Sequence, residues 1–323
     1  MILLIGTNFV AVRLSNLGLP PFWGAGIRFG LASLLFFLYV AVRRYQLPRG
    51  RLLGGAIIYG LLQYGIFYSL SYYALIEVPA GLMSVVMAAS PLFTLLFASA
   101  ARLEKLTWRG FLGSVIAIGG IAYIFNESAG EDIALLSLMA GLGAVAVTSL
   151  AGILFKKLPA MNPHSLNGIG MLVGSLLLFA LSMATGEQAV LPDGIATWSA
   201  LVYLVVLGSV GLFGLLLFVL KRWTASAVSY ATVLSPIVTI LLSAWLLSEP
   251  ISANLLLGSV LIFTGVYFGS LGPGAKTTIN NPIKNPVMIF NRHSFFSCRH
   301  PTGFRHGRHY CFNNRLNDII YKN

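Results

Sequence analysis

Arg28 is the residue most suited to chemistry, because it interrupts the otherwise apolar stretch Phe22–Val42. A guanidinium held among apolar side chains is costly, so such a residue normally faces a cavity or a partner. Two uses are open. Arg28 could hold a substrate carboxylate bidentately, or it could pair with Glu77 or snorkel toward headgroups. The uncharged polar residues that could join it are Asn8, next to Thr7, then Gln63, Tyr64, Tyr68 and Tyr72, and later Ser229 and Tyr230. Tyr64, Tyr68 and Tyr72 recur every four residues and so share one face of a helix. Such a stripe offers π-faces to cations and hydroxyls to polar groups, or it serves as packing and an interfacial belt. No Asp, Glu, Lys or His falls at the centre of a predicted helix, which weakens a direct proton relay. There is no His-Glu-x-x-His, no Gly-x-Ser-x-Gly and no pair of intramembrane aspartates. The chain is therefore expected to have no catalytic residue, no metal site and no cofactor.

The elements that carry these residues follow from composition. Of 323 residues, 57% are hydrophobic and 9% charged, whereas a soluble domain carries about 25% charged residues to solvate its surface. Lipid must be the solvent for most of this chain. The net charge of +12 lies in loops and tail, not on one face of a domain, so nucleic acid is not an expected partner. About 20 apolar residues span a bilayer as a helix. Ten such segments are expected, near 1–17, 22–42, 52–74, 80–101, 108–125, 133–155, 165–185, 198–220, 225–247 and 252–271. The loops after the even segments carry Arg43, Arg44, Arg49, Arg51, Arg102, Lys105, Arg109, Lys156, Lys157, Lys221 and Arg222, while those after the third, fifth, seventh and ninth carry acids and no Lys or Arg. Basic loops mark the cytoplasmic side, which puts both termini in the cytoplasm of a multi-pass protein of the inner or plasma membrane. No cleavable signal peptide is evident. The first segment is short and holds Arg13; either this helix is short and tilted or a few native residues precede Met1, and the second is expected.

The chain also repeats itself. Ser90-Pro91 matches Ser235-Pro236, Glu104 matches Glu249, and Gly113-Ser114-Val115 matches Gly258-Ser259-Val260, all at an offset of 145 (236 − 91 and 249 − 104). Ser33-Leu34-Leu35 matches Ser175-Leu176-Leu177 at 142. Each half holds five segments, an odd number, so the second half enters the membrane from the opposite side. The expected fold is all-α and integral to the membrane, with ten transmembrane helices as two inverted five-helix repeats, residues 1–126 and 127–271. Inverted repeats are typical of secondary transporters, with a central site between the halves. Pro91 and Pro236 free backbone carbonyls in mid-helix and are candidate gating hinges or plain bends. Glu104 and Glu249 precede Thr107 and Ser252, which read as helix N-caps, and the two acids are assigned to the helix N-termini beside them.

The pattern resembles the EamA-type family of the drug/metabolite transporter superfamily. The residues that carry the resemblance are Gly6-Thr7-Asn8-Phe9, Arg28-Phe29, the stretch from Val78-Pro79-Ala80-Gly81 through Pro91-Leu92-Phe93-Thr94 to Glu104, and the echo from Ser235-Pro236 to Glu249-Pro250. It covers roughly residues 1–271 and implies efflux or exchange of small metabolites through a cavity between the halves.

Residues 272–323 turn basic and polar and have no counterpart in that pattern. Cys298, His300, His306, His309 and Cys311 match no common zinc spacing, so a disordered cytoplasmic tail on anionic lipid is expected; read-through sequence is the other origin considered. The expected function is secondary transport, by alternating access, of small polar metabolites such as amino acids or related organic acids and amines. Its partners are a small-molecule substrate and the lipid bilayer, with a homodimer left open. The alternatives are a non-transporting membrane scaffold or sensor, and a nucleotide-sugar-type permease, for which Arg28 alone supplies too little positive charge.

Overall fold

Backbone that lies in hydrocarbon must satisfy its own hydrogen bonds, and helices do so within one segment. A computed structural model describes residues 1–101, 107–128, 135–159, 161–215 and 225–271, and within them every regular element is helical. The described residues form ten rods: α1 (Ile2–Asn16), α2 (Pro21–Val42), α3 (Arg51–Glu77), α4 (Ala80–Ala100), α5 (Trp108–Ser128), α6 (Leu135–Lys157), α7 (Pro163–Ala184), α8 (Gly194–Leu215), α9 (Ala225–Leu246) and α10 (Ala253–Val266). Six of them, α2, α3, α4, α6, α7 and α8, contain stretches long and apolar enough to cross a membrane; α1, α5, α9 and α10 contribute shorter apolar stretches. Leu34, Leu38, Leu176 and Leu241 each leave more than 60% of their surface uncovered by protein, as a lipid-facing surface requires and a watery one resists.

Local sequence explains where the rods start. Pro21 and Pro163 occupy first turns, where the missing N–H costs nothing. The Asn162 side chain accepts from His164 N at 2.9 Å, Thr107 Oγ1 accepts from Gly110 N at 3.1 Å, and Ser252 Oγ accepts from Leu255 N at 3.0 Å. α5 and α10 cross where glycines meet: a Cβ on Gly113 would lie 2.4 Å from the Gly265 carbonyl oxygen, and one on Gly120 would lie 3.0 Å from that of Gly258. Small residues permit this approach where lipid offers no hydrophobic drive for association.

The packing partners also repeat. α2 lies on α7, α4 on α9, and α5 on α10. The pairs α1–α9 and α1–α8 correspond, five rods on, to α6–α4 and α6–α3. Two wide π turns, Leu61–Ile66 in α3 and Val206–Gly211 in α8, stand 145 residues apart (206 − 61). The two prolines behave differently. α4 breaks at Ala89, just before Ser90 and Pro91, whereas Pro236 sits inside an uninterrupted α9.

Candidate functional site

Arg28 lies two turns into α2, where its side chain is fully buried. Its Nε donates to Ser209 Oγ at 3.0 Å, Nη1 to Tyr72 Oη at 3.2 Å, and Nη2 to Asn8 Oδ1 at 3.0 Å and to the Gly208 carbonyl at 3.2 Å. The guanidinium carbon stands 4.8 Å from the centre of the Phe29 ring and 5.1 Å from that of Tyr68. All these partners are neutral. Four rods, α1, α2, α3 and α8, thus meet at one cation. The π turn in α8 brings the Gly208 carbonyl and Ser209 hydroxyl to the site together. Such turns recur at functional sites because they displace backbone from the helical register. Gly208 also has to be small: a Cβ there would lie 3.0 Å from Asn8 Nδ2 and 3.5 Å from Arg28 Nη2.

Beside the cluster is a cavity of about 140 Å³. α1 contributes Ile5, Asn8, Phe9 and Val12, α3 contributes Phe67, Tyr68, Ser71, Tyr72 and Leu75, and α4, α8 and α9 add Met87, Leu212 and Ser235. Arg28 stands behind this wall and reaches it through Asn8 and Tyr72, which belong to both cluster and cavity. Ser71 is 3% exposed, and its hydroxyl has no hydrogen-bond partner among the described residues.

The remaining predicted residues are distributed more widely. Tyr64 stacks on Tyr68 with ring centres 6.4 Å apart, but its hydroxyl donates to Asn167 Oδ1 on α7 at 3.0 Å. Gln63 Oε1 accepts from Thr148 Oγ1 on α6 at 3.3 Å, away from the cavity. The side chains of Ser229 and Tyr230, and the whole of Glu104, lie outside the described residues. Glu249 does not serve the helix beside it. Its carboxylate accepts from Ala80 N at 3.0 Å and Gly81 N at 3.4 Å, which caps α4, and it pairs with Arg13 Nε at 2.9 Å. The reason is local. Ser252 already caps α10, so the acid is left for the nearest uncapped helix N-terminus and a nearby cation. Arg13 is thus ion-paired, and it also donates to the Val78 carbonyl. Nor does Arg28 contact Glu77, whose Oε2 accepts from Ser137 Oγ at 2.7 Å. Sequence reasoning missed Ser209, Gly208, Ser71 and Asn167. Ser209 could have been found, since adding the repeat offset of 145 to Tyr64 lands on it.

A family model described as the EamA-like transporter family matches residues 1–126 and again 135–271. The chain belongs to the EamA-like transporter family. Among relatives, a "Probable amino-acid metabolite efflux pump" of Escherichia coli (strain K12) is 27% identical over 277 residues, covering 83% of this chain and 91% of the relative. One of the same description from Salmonella typhimurium is 29% identical over 289 residues, covering 84% and 93%. The "Uncharacterized inner membrane transporter YedA" of Escherichia coli (strain K12) is 28% identical over 273 residues, covering 83% and 87%. A crystal structure at 20% identity shares the fold, with a TM-score of 0.58 over 84% of this chain and 94% of that one. This EamA-like chain is thus a multi-pass membrane protein with a transport role.

Proposed function

We propose that this EamA-like protein exports small polar metabolites, amino acids or related organic acids and amines, across the cytoplasmic membrane by alternating access. In this reading ten helices cross the bilayer as two inverted repeats, residues 1–126 and 127–271, with both termini in the cytoplasm. The observation that carries the proposal is a fully buried Arg28 whose partners among the described residues are all neutral, beside a cavity walled by rods from both halves. A buried charge left without a counterion is expensive, and a site that binds and releases an anion is a reason to keep one. The paired π turns, the repeating helix partners and the names of the efflux-pump relatives support it.

Purified protein in proteoliposomes should catalyse counterflow of a labelled amino or organic acid, with trans-acceleration by the same unlabelled compound. Absence of counterflow across a broad panel would contradict a transport function. Orientation is tested by membrane-impermeant thiol labelling after replacing Cys298 and Cys311. A cysteine at Ser128 should react from outside and one at Gly50 should not; the reverse would overturn the topology.

A further inference from the structure

We propose that the cavity selects monocarboxylates carrying one compact apolar arm and discriminates against organic amines. The proposal deepens the transport reading above and rests on it. Sequence alone pointed to small polar cargo, acidic or basic. The cavity narrows that class in size and in charge.

Size comes first. Seven of the lining side chains, Ile5, Phe9, Val12, Phe67, Leu75, Met87 and Leu212, are apolar and come from α1, α3, α4 and α8. At about 140 Å³, the space is close to that of an engineered apolar cavity of about 150 Å³ that holds benzene. A branched four- or five-carbon arm fits such a volume. A nucleotide or a sugar does not, and a small dianion would leave the apolar wall unused.

Charge comes second. Arg28 is bonded directly to Asn8 and Tyr72 in the wall, and among the described residues no Asp or Glu lines the cavity. The potential inside is therefore positive. Tyrosine faces could in principle attract an ammonium, but the Tyr68 ring already carries Arg28 at 5.1 Å. Ser71 supplies the complementary polar contact. It is buried, it lines the cavity, and its hydroxyl is unsatisfied, so it can donate to an arriving carboxylate oxygen. Asn8 and Tyr72 need only re-aim to share Arg28's donors with the other oxygen.

Three compounds with the carbon framework of one amino acid test this on purified full-length protein by calorimetry. 3-Methylbutanoate carries the carboxylate alone, valine adds the ammonium, and isobutylamine carries the ammonium alone. The expected order of affinity is that one, with isobutylamine at least about tenfold weaker than 3-methylbutanoate. Succinate, a dianion without the arm, should be weaker than 3-methylbutanoate. Arg28→Gln should collapse the headgroup order, and Ser71→Val should weaken 3-methylbutanoate about threefold to tenfold while thermal stability is kept. Isobutylamine or succinate binding best, no response to 3-methylbutanoate, or an unchanged order in a folded Arg28→Gln protein would each overturn the proposal. Counterflow separates this claim from the one beneath it. Flux of an amine that 3-methylbutanoate does not inhibit would refute the ligand class and leave transport standing. The predicted binding order without flux of any ligand would refute transport and leave the ligand class.

Discussion

Arg13 and Arg28 belong to neighbouring rods of the same half, yet their surroundings are opposite. Arg13 sits at the end of α1, keeps 23% of its side chain exposed, and is paired with a carboxylate that also caps α4. Arg28 is fully buried and has two hydroxyls, an amide oxygen, a backbone carbonyl and two aromatic faces, with no acid among the described residues. Physics leads one to expect the reverse, because desolvation falls hardest on the deeper charge. The contrast says what each arginine is for. Arg13 closes a structural joint between α1, the start of α4 and the α9–α10 connection, and that joint is complete as it stands. Arg28 is hydrogen-bonded but has no counterion among the described residues, and in the proposed reading an anionic substrate completes it.

If so, the two sites can be made to trade character. Ser209→Asp would place a carboxylate beside Arg28 Nε, giving it the counterion that Arg13 has. The variant should fold at least as well as the wild type and lose anion affinity by roughly a hundredfold, the scale of one charge-assisted pair worth about 3 kcal/mol. Retained affinity for 3-methylbutanoate in this variant, measured by calorimetry, would mean that the charge of Arg28 plays no part in binding.

The converse change acts on stability. Glu249→Gln removes the counterion of Arg13 and weakens the α4 cap. A fully buried pair broken on one side costs about 3–5 kcal/mol; here partial exposure and the surviving amide oxygen reduce the cost to about 2 kcal/mol. Thermal unfolding in detergent should show the loss, and adding Arg13→Gln should restore part of it, because no unpaired charge then remains. Ligand affinity should barely change. The smallest effect belongs to the tail: deleting residues 272–323 should leave transport within about twofold of the full chain, because the region that matches the EamA-like family ends at residue 271. Loss of transport on deletion would favour a sensor or scaffold acting through that segment.

Much of the fold was legible because lipid imposes simple rules. Long apolar runs and short loops located the rods to within a few residues, and Thr107 and Ser252 were readable as caps from their position alone. Arg28 stood out because charge is rare within such runs. The destination of Glu249 was not readable, since it depends on which helix start lies nearest in space rather than in sequence. The tyrosine stripe misled in part. One face was expected for Tyr64, Tyr68 and Tyr72, but Tyr64 lies in a π turn that runs close to Gly170 and Gly174 of α7, and its hydroxyl is spent on Asn167. Wide turns have no strong residue signature, so the Gly208 carbonyl stayed hidden until the backbone showed it, and Ser209 was reachable only through the repeat offset.

The central claim, that Arg28 is a substrate-directed charge rather than a structural one, is tested most directly by Arg28→Gln in one preparation assayed twice. Yield and monodispersity report the fold, and counterflow of a carboxylate substrate reports the site. The account predicts a well-folded protein whose substrate affinity falls roughly tenfold to a hundredfold, the equivalent of about 1.5–3 kcal/mol for hydrogen bonds to a charged group. Arg28→Lys should recover only part of this, because an ammonium cannot reproduce the planar fork. Wild-type counterflow by a well-folded Arg28→Gln protein would contradict the account, and a collapse in yield along with activity would return Arg28 to a structural role.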